Sequence, residues 1–309
     1  MSGTAGVARR RSSVLGLLVA LCCLCVVAPA HADDVVQQTV DAAVDAAAAS
    51  DVQQSVTVVD RTDGNVLASR GGDTVYNSES IVKLFTAAYY LIQADGQPSA
   101  GTADALRTMI VVSDNGIQSD LWRRDIIPTV AERYGLTRTT NANNASARNW
   151  GSAKITADDE ARFLWGMSQD PLVGPSLMQW MAAAEPTGSD GFDQAFGLNA
   201  MTGDHGSKQG WSDSGWSPYN IHSVGWTGRY FVAVLQTSYD AGSATMKQSS
   251  TATARALTDL SASRYPPPVA VDCAPVGWFG RTFLHGVLPT VEAALGAALP
   301  SAAPWCPPA

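Results

Sequence analysis

The sequence predicts a mixed fold of the α/β (α+β) class: one antiparallel five-stranded sheet flanked by helices, joined to a reduced all-helical lobe. Three observations carry this expectation. Two strand-like runs near the N-terminus flank an Asp-Gly turn, and three more follow position 205, separated by turns rich in Gly, Ser, Asp and Pro. Almost everything between them has helical spacing. Strands from both ends of the chain then pair in one sheet, and the helical middle forms a second lobe beside it. A cleft is expected where the chain crosses from one to the other.

The elements follow in order. Residues 1–32 have the form of an export signal: Arg9, Arg10 and Arg11 form a basic start, 14–27 an apolar run, and Ala30-His31-Ala32 a small-residue cleavage site. Cleavage is expected after Ala32, giving a secreted, extracytoplasmic chain, because the apolar run is too short for a comfortable membrane span. Cys22, Cys23 and Cys25 invite a lipoprotein reading, but Leu21 stands before Cys22 where a small residue is expected, which argues against lipidation. The arginine run fits a twin-arginine address only loosely. Residues 33–50 are alanine-rich with larger apolar positions at Val35, Val36, Val40 and Val44, which predicts a surface helix. Strands are expected at 55–59 and 65–69, with Asp63-Gly64 turning the hairpin. A helix carrying Ser80 runs to Asp95-Gly96. Helical runs at 103–112, 117–124 and 128–134 follow, the last stopped by Gly135. Residues 136–155 read as a long polar loop, and Thr156-Ala157-Asp158-Asp159 as a capping-box start to another helix. After a helix at 175–185, strands are expected at 206–211, 222–226 and 229–237, then a helix at 244–261. Tyr265-Pro266-Pro267-Pro268 is a stiff linker, and 289–299 a helix in the tail. The expected organisation is a signal at 1–32, one domain at 33–264, and a linker and tail at 265–309. Within the domain the sheet lobe is 33–79 with 200–264, and the helical lobe is 80–199.

The 309 residues hold 20 basic and 28 acidic side chains. Removal of the three leader arginines leaves 17 basic against 28 acidic, a net charge of −11. Nucleic acid and anionic membrane surfaces are poor partners for such a chain. Cys273 and Cys306 remain after cleavage, and two cysteines in an exported chain read as one disulfide closing the tail. His205, His222 and His285 show no metal-ligand spacing, so no metal or other cofactor is expected. The chain is expected to be a monomer.

Three short motifs carry chemistry. Ser80-Ile81-Val82-Lys83 sits at a helix start, with Asn77 or Ser78 as the expected cap, so the Lys83 amine can reach the Ser80 hydroxyl one turn away. A serine becomes nucleophilic when a base takes its proton, and a lysine can be that base if burial depresses its pKa. Taken alone, the pair also reads as a cap and an exposed lysine. Ser113-Asp114-Asn115 breaks two helical runs; it reads either as an ordinary turn or as a proton relay at Ser113 with an amide holder at Asn115. Lys208-Gln209-Gly210 opens a strand, where a cation followed by glycine suits a substrate carboxylate.

Together and in this order the three resemble the motifs of the penicillin-recognising serine hydrolases, and specifically the class A β-lactamase branch. The surrounding strands resemble that family over roughly residues 34–262, which implies a β-lactamase/transpeptidase-like fold. The resemblance implies that Ser80 is acylated, Lys83 activates it, and Ser113 passes a proton to the leaving nitrogen. Asn115 would hold the substrate amide, and Lys208, with Gln209 and Gly210, its carboxylate. The oxyanion hole would be the Ser80 N–H with that of Trp211 or Ser212. Three departures are visible. The Ser80-to-Ser113 spacing is short, Gln209 replaces a hydroxyl residue, and 136–155 contains no acidic residue where the family holds its deacylating glutamate. The expected function is therefore a secreted serine hydrolase acylated by β-lactams or cell-wall D-alanyl peptides and slow to release them. The alternatives are a weak or inert binding module for cell-wall fragments or a protein partner and, last, a Ser–His–Asp esterase, for which no G-x-S-x-G elbow exists.

Overall fold

The computed structural model describes residues 32–213 and 215–264. The expected leader, the Pro-rich linker, the tail helix and the Cys273–Cys306 pairing lie outside them. The chain begins with α1 (Ala32–Ala48), β1 (Gln53–Asp60), β2 (Val66–Arg70) and the two-residue β3 (Tyr76–Asn77). A 3₁₀ turn, Glu79–Ile81, feeds α2 (Val82–Gln93), followed by α3 (Ala100–Val111), α4 (Asn115–Leu121) and α5 (Ile126–Tyr134). A second 3₁₀ turn, Trp150–Ser152, and β4 (Lys154–Ile155) precede α6 (Ala157–Gln169) and α7 (Gly174–Ala182). The chain closes with β5 (His205–Trp211), β6 (Tyr219–Thr227), β7 (Tyr230–Ser238) and α8 (Ser243–Arg264).

The sheet has five strands in the order β2-β1-β7-β6-β5, antiparallel throughout. Both ends of the chain therefore build it, as the strand pattern predicts. β7 is central and buried on both faces, and its residues alternate between two cores. Tyr230, Val232 and Val234 face Val36, Val40 and Val44 of α1 and Ala254 and Leu257 of α8. Phe231, Ala233 and Leu235 face the helical layer of α2, α5 and α6. The i, i+4, i+8 valines of α1 are thus the stripe that docks it on the sheet.

Two glycines are needed for their backbone. Gly64 turns the β1–β2 hairpin at φ +78°, and a Cβ there would overlap the Trp165 indole. Gly135 ends α5 in the left-handed conformation, φ +66°. Thr156 caps α6 as expected, its Oγ1 accepting the Asp159 N–H at 3.2 Å. The reciprocal half of a capping box is absent. Asp159 instead accepts from the N–H groups of Thr137 and Arg138 and from Thr139 Oγ1, at 3.2, 2.8 and 2.8 Å, pinning the start of the polar loop to α6. The loop is also more structured than its sequence suggests, because β4 pairs with β3 through Tyr76–Ile155 and Asn77–Lys154.

Glu160, on the buried face of α6, is fully enclosed, and neither carboxyl oxygen meets a protein donor. Burial pushes its pKa well above the ordinary 4.5. The folded state therefore holds a proton that the unfolded chain releases, so stability falls as pH rises from about 4.5 toward the folded-state pKa. Glu160→Gln removes this dependence. Melting curves from pH 5 to 8 are expected to show the variant gaining on the wild type as pH rises, and a constant difference would contradict the argument.

Candidate active site

β3 delivers the chain to the cleft. The Asn77 carbonyl accepts the Nε2–H of buried His222 at 2.8 Å, and His222 Nδ1 accepts the Gln236 N–H at 3.1 Å. Burial holds this imidazole neutral, its pKa lowered to about 4. With both nitrogens committed, His222 is a brace beneath the approach to Ser80. His205, the other described histidine, lies beside the Gly203 carbonyl at 3.1 Å on β5. A Ser–His–Asp arrangement therefore has no histidine to use among the described residues.

The turn before Ser80 is strained and tied down. Ser78 has helical backbone, but its side chain makes no capping bond; its hydroxyl donates to the Gly151 carbonyl at 3.2 Å instead. Neither expected cap is used as a cap. Glu79 adopts φ +47°, a left-handed value rare in residues other than glycine. Such strain persists where surrounding contacts over-determine it. Here Glu79 Oε1 accepts from Asn220 Nδ2 at 2.8 Å and Ser212 Oγ at 3.1 Å, fastening the backbone ahead of Ser80 to β6 and the end of β5. Burial raises the Glu79 pKa, opposed by these two hydrogen bonds.

Ser80 lies in the 3₁₀ turn that runs into α2, and Lys83 follows one turn later, fully buried. Lys83 Nζ is 2.6 Å from Ser80 Oγ, 2.7 Å from Asn115 Oδ1 and 3.2 Å from Ser113 Oγ. Desolvation lowers its pKa to about 7, although Asp190, Asp114, Asp213 and Glu79 all favour the charged form. A neutral amine has two hydrogens and one lone pair, which matches these three neighbours. It can donate to Asn115 Oδ1 and Ser113 Oγ and accept the Ser80 proton.

Ser113-Asp114-Asn115 is a helix start whose three side chains have different tasks. Ser113 takes φ +55°, again left-handed. Asp114 caps α4, its Oδ1 accepting the Ile117 N–H at 2.8 Å. Asn115 begins α4 and turns its amide oxygen to Lys83. Ser113 Oγ accepts from Lys83 and from Lys208 Nζ, the latter at 2.9 Å, so its own proton is free to point into the cleft.

β5 is the sheet edge facing this constellation. Lys208 is buried, its amine held by Ser113 and by the Gln209 carbonyl at 2.6 Å, and burial with nearby Lys83 pulls its pKa well below 10.5. Gly210 faces the turn that carries Ser80, where a Cβ would sit 3.2 Å from the Ser78 carbonyl and from Ile81. Its lack of a side chain lets the strand lie against that turn. Gln209 is not brought to the site. It points to the opposite face, where Nε2 reaches Ser207 Oγ at 3.1 Å, the Phe196 carbonyl at 3.3 Å and Ser223 Oγ at 3.3 Å. The period-two alternation of a strand makes this unavoidable once Lys208 faces Ser113. Ser212 N–H donates to the Asn220 carbonyl at 3.1 Å, so it is spent. The neighbouring Trp211 N–H, in the alternate position of the antiparallel ladder, points off the free edge toward the cleft.

The resulting cleft encloses about 570 Å³, with Ser80, Asn115, Trp150, Trp211 and Trp216 in its walls. Trp150 comes from the polar loop before α6. Its ring centroid lies 4.6 Å from Lys83 Nζ, and its Nε1–H donates to Ser119 Oγ at 3.1 Å. The acid-free loop thus presents an indole to Lys83. Sequence reasoning passed over Trp150 and Glu79; the signals were one aromatic in an asparagine-rich loop and one acid beside the nucleophile.

No protein-family model matches the chain. It is 30% identical over 232 residues to the proteins named "Putative lipoprotein LppW" of Mycobacterium tuberculosis and Mycobacterium bovis, covering 70% of this chain and 72% of theirs. The fold is similar to that of the TLA-3 extended-spectrum β-lactamase, with TM-score 0.59 and 12% identity over 72% of this chain and 98% of that one. It is likewise similar to a class A β-lactamase from Bacteroides cellulosilyticus, with TM-score 0.57 and 14% identity over 73% and 98%. At such identities the likeness concerns the fold.

Proposed function

Because the chain belongs to the family of the mycobacterial LppW proteins and has the β-lactamase-like fold, we propose that it is an extracytoplasmic serine hydrolase, acylated at Ser80 by β-lactams or D-alanyl peptides and slow to release the acyl group. The observation that carries this reading is the buried Lys83 amine, poised near pH 7 and 2.6 Å from Ser80 Oγ. In the proposed step Lys83 takes the Ser80 proton as Oγ attacks the carbonyl carbon. The Ser80 and Trp211 N–H groups hold the oxyanion. The C–N bond then breaks as the nitrogen receives a proton from Ser113, which is resupplied from Lys83. Asn115 holds the substrate amide and Lys208 lies behind its carboxylate. Slow release is supported by Trp150, which stands beside Lys83 where a water-activating carboxylate would be useful. The export-type N-terminus and the lipoprotein name of the relatives support the location.

Intact-mass spectrometry with benzylpenicillin tests the reading. The folded wild type should gain the mass of one penicillin on the Ser80 peptide, and Ser80→Ala should not. A folded wild type that never acquires the adduct defeats the proposal, and rapid turnover without an adduct defeats the slow-release half of it. Lys208, whose buried amine is already held by Ser113 and the Gln209 carbonyl, favours a second reading, a binding module. Equal ligand affinity in wild type and Ser80→Ala, with no adduct in either, would select it.

A further inference from the structure

Resting on the acyl-enzyme reading, we infer that the cleft selects acyl donors whose side chain is positively charged. Its lining contains three carboxylates, Glu79, Asp120 and Asp213, against one guanidinium, Arg148. The acids stand on both walls. Asp120 is exposed near the end of α4, while Glu79 and Asp213 flank the end of β5. Lys83 and Lys208 offset them little, because both stand behind Ser113 and burial pulls both amines toward the neutral form. The cleft is thus polarised: its two lysines lie behind Ser113, at the end that handles the leaving group, and the acids line the remainder.

The apolar part of the lining has the matching character. Trp150, Trp211 and Trp216 are all in it; Trp150 already turns its ring to Lys83 and Trp211 stacks on Phe192, so the indole most available to a substrate cation is that of Trp216. Trp216 is 54% exposed, one of four exposed large hydrophobic side chains among the described residues. Its backbone N–H donates to the Asp213 carbonyl at 3.2 Å, which keeps these two residues together at the rim. Indole faces and carboxylates are the two surfaces that an ammonium or guanidinium group prefers, through ring quadrupole and direct ion pairing. An anionic side chain would meet repulsion from three carboxylates within a chain already at −8. The field is felt inside the site as well, since Asp213 and Glu79 both favour the protonated form of Lys83. The substrate class is therefore an acyl donor with a free amine or guanidine on the acyl portion, such as a peptide ending in D-alanine whose preceding residue keeps its side-chain amine.

Three penicillins that differ only at the side-chain α-carbon isolate this property: aminobenzylpenicillin, benzylpenicillin and carboxybenzylpenicillin. Adduct formation at Ser80 is followed by intact mass at low salt and at a pH where the amine is protonated. The ammonium compound should acylate about tenfold or more faster than the carboxylate compound, with the unsubstituted one between. Raising the salt to 0.5 M should shrink that ratio, and so should Asp120→Asn combined with Asp213→Asn. Equal or inverted rates, or a ratio indifferent to both salt and the double substitution, would overturn the inference while leaving the acyl-enzyme reading intact. Absence of an adduct with all three would overturn both.

Discussion

Lys83→Met is expected to slow the acylation of Ser80 by roughly 10²- to 10⁴-fold, the range over which a positioned general base contributes. The loss should carry a pH signature. With its pKa near 7, Lys83 supplies a lone pair in increasing fraction as pH rises through neutrality, so the wild-type acylation rate should climb through about pH 7 to a plateau. His222, neutral above about pH 4, does not compete for this limb. In Lys83→Met the limb should vanish with the rate. A second readout separates this from misfolding. The unfolded chain protonates Lys83 up to about 10.5, while the folded chain releases that proton near 7. Burying the amine therefore lowers stability fully below pH 7, and the penalty fades as pH rises toward 10.5. The variant should melt higher than the wild type at pH 6 to 7, with the advantage shrinking in alkali. A slower variant that keeps its pH limb would remove Lys83 from the role of base, and one that is also less stable at neutral pH would contradict the depressed pKa of the buried amine.

The architecture was readable in the sequence because its signals are local and periodic. The Asp-Gly hairpin and the valine stripe of α1 each reflect one element meeting its neighbour, and the near-continuous apolar run at 229–237 reflects a strand buried on both faces. The contact of Ser80 with Lys83 was readable for a similar reason, since helix geometry brings i and i+3 together wherever the helix lies; that of Ser113 with Lys83, 30 residues apart, was implied only by the motif resemblance. What could not be read depends on distant pairings. The side-chain direction of Gln209 follows from which face of β5 meets Ser113, 95 residues away along the chain from Lys208. Glu79 is held by Asn220, which is 141 residues distant. The chain gives no local sign that a strained acid will fasten the turn that carries Ser80. Trp150 sits in a loop whose course is set by the β3–β4 pairing and the Asp159 anchor, neither of which has a periodic signature.

Trp150 also offers the means to test why release should be slow. Hydrolysis of an acyl-Ser80 ester requires a water held near the carbonyl carbon and a base to take its proton. The Trp150 indole fills space beside Lys83 and Ser119 without offering any acceptor. Trp150→Glu would replace it with a smaller side chain bearing a carboxylate, near an amine and a hydroxyl able to hold a water. The adduct lifetime is then expected to fall by about 10²-fold or more. Trp150→Gln creates similar room without a base, and should shorten the lifetime far less. Acylation should move in the opposite direction. A carboxylate near Lys83 stabilises the ammonium, raising its pKa and moving the midpoint of the acylation profile above 7. Opposite changes in the two half-reactions, measured as adduct gain and adduct loss on the same protein, are not produced by a merely loosened loop. Equal release from the Glu and Gln variants would mean that space, and not a missing base, limits hydrolysis; unchanged release from both would free Trp150 of any part in it.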